Sequence, residues 1–171
     1  MAPMHNPTLH LVLSGATTAG ESAADLVRML SGDGWSVTAF STPMGERFHD
    51  LAEIAEITGT EAATEFRTPG TGQRVQPADR VVACPLSFNS TNKLAAGFAD
   101  TMALALLCEM IGLEVPTVVV PKGNTALYNH PAFPRSLAVL RSVPATTVLH
   151  DPDRGVPSWR EVVRAARTAP T

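Results

Sequence analysis

Several clusters of hydroxyl, amide and glycine residues stand where short apolar runs end, and their types suggest a chemistry. The first is Ser14-Gly15-Ala16-Thr17-Thr18-Ala19-Gly20. Small residues let backbone amides come close to a ligand, and a helix that follows such a turn offers unpaired N–H groups and a partial positive charge, so this cluster suits a phosphate. An ordinary strand-to-helix turn with a threonine cap is the alternative reading. The second cluster, Ser41-Thr42-Pro43, adds two hydroxyls at the same edge, or is a simple turn with proline at its second position. No full G-x-G-x-x-G is present, and no acidic residue ends the second run to hold a ribose. A mononucleotide is favoured over a dinucleotide. Two further clusters, Pro85-Leu86-Ser87-Phe88-Asn89 and Pro121-Lys122-Gly123-Asn124, place amides and hydroxyls after the next apolar runs.

The elements that must position these clusters follow from the pattern of apolar residues. Leu9 to Ser14, Ser36 to Ser41, Arg80 to Cys84, Thr117 to Val120 and Thr146 to His150 are continuous rather than alternating runs, as strands covered on both faces require. Helical patterns lie between them. The first is expected over 19–30, with Thr18 to Glu21 as its capping box, and others over 46–57, 91–96 and 101–111, the last capped by Asp100. Another runs from Pro131 to about Val143, and Ser158-Trp159-Arg160-Glu161 starts a terminal helix over 158–167. Strand and helix alternate, which predicts a single α/β domain over 1–171, Rossmann-like (flavodoxin-like), with a parallel sheet flanked by helices and its core at about 9–150. Ligands of such a sheet lie beyond the carboxyl ends of its strands. The segment 59–78, with Pro69, Gly70, Gly72 and Pro77, has no clear period and reads as a long functional loop.

A chain of 171 residues can bury a core without metal or disulfide staples. Its net charge of -3, with acids and bases mixed, gives no basic stripe, so nucleic acid is not an expected partner. The longest apolar stretch, 102–113, is interrupted by Glu109, and no membrane span is expected. Cys84 and Cys108 read as small buried hydrophobes in a reducing, cytoplasmic setting, and no histidine has a partner at metal-ligand spacing.

The run Cys84 to Asp100 resembles the P-A-S-A-N-T signature, and the N-K-(L/I)-A-x-G-x-x-D run after it, of the homo-oligomeric flavin-containing cysteine decarboxylases. These are the phosphopantothenoylcysteine and lantibiotic peptidyl-cysteine decarboxylases. Pro85, Ser87 and Asn89 match the first, and Asn92, Lys93, Gly97 and Asp100 the second. Pro121 to Pro131 is similar to the family's P-x-M-N-x-x-M-W substrate motif, with Pro121 and Asn124 matching and Tyr128 at the aromatic place. Gly123 and Leu127 stand where the methionines would be.

The resemblance implies FMN, with its phosphate near Ser14, Gly15, Ala16, Thr17, Ser41 and Thr42. It sets the ring against the turn of Pro85, Ser87, Phe88 and Asn89, and counts Asp100 with the cofactor residues. Asn89 and Asn124 are the implied catalytic groups, Asn89 orienting a carboxylate, with Asn124 and Tyr128 on the substrate side. It further implies homotrimers or multiples of trimers, and a small thiol or peptide substrate. The replaced methionines and one further departure stand against the enzyme. Counting back from Pro85 to the family's catalytic histidine reaches Gly70-Thr71-Gly72, and no histidine lies between Asp50 and His130. His49 is read as a surface residue, and His130 as a helix cap. Nor does any cysteine follow Cys108, which turns the expectation away from coenzyme A biosynthesis. The expected function is oxidation or oxidative decarboxylation of a cysteine-type thiol, or a catalytically silent FMN-binding regulatory or assembly subunit.

Overall fold

In the computed structural model, which describes residues 6–18 and 20–168, the apolar runs become five parallel strands. They are β1 (Thr8–Leu13), β2 (Ser36–Ser41), β3 (Arg80–Ser87), β4 (Thr117–Lys122) and β5 (Thr146–Val148). The helices are α1 (Ala23–Gly32), α2 (Leu51–Thr58), α3 (Phe88–Ala95), α4 (Met102–Gly112), α5 (Thr125–Tyr128), α6 (Ala132–Ser142) and α7 (Trp159–Thr168). The predicted α/β architecture, one parallel sheet flanked by helices, is the one observed.

Successive strand residues alternate between two cores. Leu9, Leu11, Leu13, Val82 and Cys84 pack with α1, α2 and α7, while Val12, Val81, Ala83 and Val119 pack with α3, α4 and α6. Both faces are therefore dry, which explains the lack of alternation in the sequence. The strand order is β2-β1-β3-β4-β5. The chain moves outward from β1 to β2, then crosses back to place β3 on the other side of β1, so the crevice of the sheet opens above the carboxyl ends of β1 and β3. The β3–β4 register shifts between Ala83 and Leu86, around the cis peptide Cys84–Pro85. No described helix is long and apolar enough to cross a membrane.

Helix starts differ from the sequence expectation where a stronger local cap competes. α1 begins at Ala23, because Gly20 adopts a left-handed φ of 82° and Ser22 and Asp25 form the capping box, the Ser22 hydroxyl accepting from Asp25 N at 3.1 Å. The Thr18 to Glu21 box does not form, and Ala19 lies outside the described residues. The helix expected over 46–57 is a 3-10 turn, Gly45–Arg47, followed by α2 with Asp50 as its cap. α3 starts at Phe88 rather than Thr91, since the Ser87 hydroxyl accepts from Ser90 N. Thr101, not Asp100, caps α4. The terminal helix starts as expected, with Ser158 N donating to Glu161 at 2.8 Å. The loop 59–78 makes one ladder contact, Ala63 bridging Phe40 at the outer edge of β2.

Candidate functional site at the carboxyl rim of the sheet

Ser14, the first residue beyond β1, is fully buried, and its hydroxyl must find partners. It donates to Pro85 O at 2.9 Å and accepts from Ser87 N at 2.7 Å. One side chain thereby ties the end of β1 to the end of β3, across the point where the strand order reverses. Behind it, His49 Nε2 donates to Ser14 O at 2.9 Å. Burial lowers the pKa of His49, and the bond to Ser14 opposes that shift in part. The sequence reading places His49 at the surface, and the structure corrects it: the residue is 8 % exposed. The burial arises because the 3-10 turn folds tightly under β1.

Gly45 permits that approach. A methyl group there would lie 2.2 Å from Ser41 Oγ and 3.3 Å from both Leu13 O and Ser14 Cα. Replacing Gly45 with alanine is expected to cost about 1–3 kcal/mol through overpacking. An unchanged urea midpoint for that variant would contradict this account of the turn.

Above these supports lies a cavity of about 940 Å³, bounded by residues 15–17, 42–44, 87–90 and 122–124. Phe48, Leu127 and, from the first turn of α4, Thr101 and Leu104 complete its wall with Lys93. The backbone N–H groups of Gly15 and Thr17 have no partner among the described residues, so this end of the cavity offers free donors to an anion. Apolar side chains line the same space, Met44 and Phe48 directly against Gly15, and Phe88, Leu104 and Leu127. The Asn89 amide reaches the same space from the first turn of α3.

Gly15, Ala16, Thr17, Thr42, Ser87, Phe88, Asn89 and Asn124 thus come together as the sequence led us to expect. The other expected residues do not line the cavity. Ser14 and Pro85 lie behind its wall, joined by the bond described above. Ser41 turns its hydroxyl to Thr42 O at 2.9 Å, which removes it as a ligand donor. Asp100 is exposed and pairs with Lys93, whose hydrogen bond lowers the Asp100 pKa. Tyr128 accepts from Gly123 N at 2.8 Å and packs its ring on Phe133 and His150, at 4.9 and 4.7 Å between centroids. It holds the turn after β4 rather than facing the cavity.

The long run from Asn92 to Asp100 is largely structural. Asn92 accepts from Ser136 of α6, Gly97 turns the chain with φ 75°, and the Lys93–Asp100 pair closes the passage from α3 to α4. His130 Nδ1 accepts from Ala132 N, the first residue of α6, at 3.1 Å, so it serves that helix start as expected, although the N-cap position itself is Pro131. Sequence reasoning missed Met44, Phe48, Thr101, Leu104, Lys122 and Leu127. Lys122 had a visible signal, a cation at a strand's carboxyl end; the apolar residues had none, since Met44 and Phe48 flank a 3-10 turn without a period, and nothing in the pattern of α4 or α5 marks Leu104 or Leu127 as the residue that meets the cavity.

The Flavoprotein family model matches residues 2–168. Among curated proteins, the coenzyme A biosynthesis bifunctional protein CoaBC of Bacillus subtilis is 26% identical over 143 residues, 80% of this chain and 34% of that protein. The chain thus spans about a third of that relative's length. A protein of Streptococcus mutans named "Probable phosphopantothenoylcysteine decarboxylase" is 26% identical over 137 residues, 77% of this chain and 75% of that one. Among solved structures, the FMN-dependent cysteine decarboxylase TvaF from thioviridamide biosynthesis superposes with a TM-score of 0.79 at 22% identity, covering 96% of this chain and 98% of that one. HAL3 from Cryptococcus neoformans gives 0.71 at 23% identity, covering 94% of each. With the sheet order, the rim cavity and a family model that leaves out only the first residue and the last three, the chain belongs to the Flavoprotein family.

Proposed function

We propose that the rim cavity binds FMN and applies it to a thiol of the cysteine type, by oxidation or oxidative decarboxylation. The observation that carries this reading is one cavity whose wall combines free backbone donors with apolar side chains. The turn Gly15-Ala16-Thr17 and Thr42 suit the phosphate, through the unpartnered amides of Gly15 and Thr17, the Thr17 hydroxyl and the proton of the Thr42 hydroxyl, which accepts from Gly45 N. Met44, Phe48 and Phe88 suit the two faces of a tricyclic ring, and the Asn89 amide suits its polar edge. The residues present fit the group. Bound there, FMN would supply two-electron oxidation of the thiol, chemistry no side chain of the cavity can perform. The protein's part is to orient the substrate, through Asn89 and Asn124, with Tyr128 acting by fixing the turn that carries Asn124. Relatives named as FMN-dependent cysteine decarboxylases, TvaF and SpaF, support the reaction class.

The reading extends to assembly. Met44, Phe48 and Leu127 are 52 %, 45 % and 37 % exposed around the cavity, and a second copy over the mouth would cover them together with the flavin. A homotrimer, or a multiple of trimers, provides such a copy. Two free cysteines, Cys84 and Cys108, fit a reducing cytoplasmic setting.

One observation favours the second reading, a silent FMN-binding regulatory or assembly subunit. No aspartate, glutamate or histidine lines the cavity among the described residues, so no side chain there is suited to accept a proton near neutral pH. Anaerobic incubation of the flavin-loaded protein with cysteine-terminated peptides separates the two. The enzyme reading predicts bleaching of the flavin with loss of one formate equivalent from the peptide mass. Persistent yellow colour with every thiol offered would contradict it and leave the silent subunit.

A further inference from the structure

The cavity wall carries two cations and no anion among the described residues. Lys93 is neutralised by Asp100. Lys122 has no ion pair and no side-chain hydrogen bond to any described residue, although it is the last residue of β4 and faces the cavity half-buried. A lone cation in a partly desolvated apolar wall favours a ligand that brings negative charge.

The flavin phosphate does not meet that need. Lys122 pairs in register with Ser87 of β3, whereas the free amides of Gly15 and Thr17 follow β1, on the far side of β3. Two strand spacings separate them, roughly 10 Å at about 4.8 Å per strand. The anion facing Lys122 is therefore a different one, on the substrate. Nor is it best read as the carboxylate that departs. A cation bonded to that group stabilises the ground state and loses its interaction as carbon dioxide leaves, which raises the barrier. A charge kept through the reaction suits Lys122 better.

The neighbouring groups narrow the ligand further. Gly123 N is already engaged by the Tyr128 hydroxyl, so the turn offers no nest of amides of the kind a phosphate uses. Asn124 Oδ1 accepts from Leu127 N at 2.9 Å, which leaves only its NH2 group to donate. One ammonium and one amide match a singly charged carboxylate. On the footing of the FMN-thiol reading above, we propose that Lys122 is a specificity-determining residue that selects thiol substrates carrying a second carboxylate, such as peptides with an acidic residue next to a terminal cysteine.

The test compares the dipeptides Glu-Cys and Gln-Cys, equal in size and in their terminal carboxylate, by calorimetric titration of the flavin-loaded protein. FMN uptake by wild type is measured first: if it fails, the flavoprotein reading falls on its own evidence, before Lys122 is tested. With flavin bound, wild type is expected to hold Glu-Cys about tenfold more tightly than Gln-Cys, as a charge-assisted contact to a half-exposed lysine predicts. Lys122→Met should erase the difference, and Lys122→Glu should transfer the preference to Lys-Cys. The proposal is overturned if wild type binds neither dipeptide or does not discriminate, or if Lys122→Met keeps the preference for Glu-Cys. It is also overturned if Lys122→Met weakens FMN uptake, since Lys122 would then serve the flavin.

Discussion

Replacing Ser14 with alanine is expected to lower stability by about 3 kcal/mol, because it strands two backbone groups, Pro85 O and Ser87 N, beneath the rim. For a domain of this size that is a fall in melting temperature of roughly 6–12 °C. The variant should also lose FMN more readily than a surface variant of equal stability. The turn that follows β1 carries the free amides of Gly15 and Thr17, and the turn that follows β3 carries Phe88 and Asn89; Ser14 is the direct side-chain link between them. Ser14→Thr retains the hydroxyl and should recover part of both losses. A Ser14→Ala variant that melts with wild type and holds FMN equally well would show that the two turns are positioned by something else.

Acid is expected to destabilise the protein well before its carboxylates are titrated. His10 is 6 % exposed, its Nδ1 has no partner, and its ring meets Phe40 edge-on at 4.9 Å. Burial pushes its pKa down from 6.5 to about 4, and burial lowers that of His49 as well. In both cases the unfolded chain takes up a proton more readily than the folded one. Stability is therefore full above the unfolded value near 6.5 and falls as the pH drops toward the folded value. For His10 the loss between pH 7 and 4 is about 3 kcal/mol, the free-energy equivalent of its shift. Asp25, Asp79, Asp100 and Glu161 have carboxyl groups held below their ordinary range, so their contributions persist through this window and fade only at lower pH. Urea midpoints at pH 7.5, 5.5 and 4.5 check the claim. Wild type should decline steadily across the series and His10→Leu should decline less; equal midpoints for wild type at all three values would contradict it.

Much of this was legible in the sequence, for reasons that differ by residue. The strands could be read because Val81 to Leu86 and Thr117 to Val120 are buried on both faces, which leaves a continuous apolar run. The terminal helix could be read because Ser158 and Glu161 carry their cap within four residues. Residues 15–17 and 87–89 were found because loops after parallel strands converge at one rim whatever their details. What failed depended on side-chain direction or on packing between distant segments. Ser41 and Ser14 have the right type and position, yet one hydroxyl turns to its own neighbour and the other spans to β3. His49 looked exposed because its burial depends on Gly45 meeting Ser41 and Leu13, a contact no local pattern records. Asp100 matched a motif and was assigned to the cofactor, whereas its carboxylate closes a turn through Lys93.

The rim cavity between residues 15–17, 42–44 and 87–90 is proposed to hold one FMN per chain. Titration of the flavin-free protein with FMN and with riboflavin, followed by quenching of flavin fluorescence, tests it most directly. The account predicts saturation at one FMN per chain and binding of riboflavin weaker by about two orders of magnitude, the contribution of charge-assisted bonds to the phosphate. No quenching by FMN, or equal affinity for the two flavins, would contradict it.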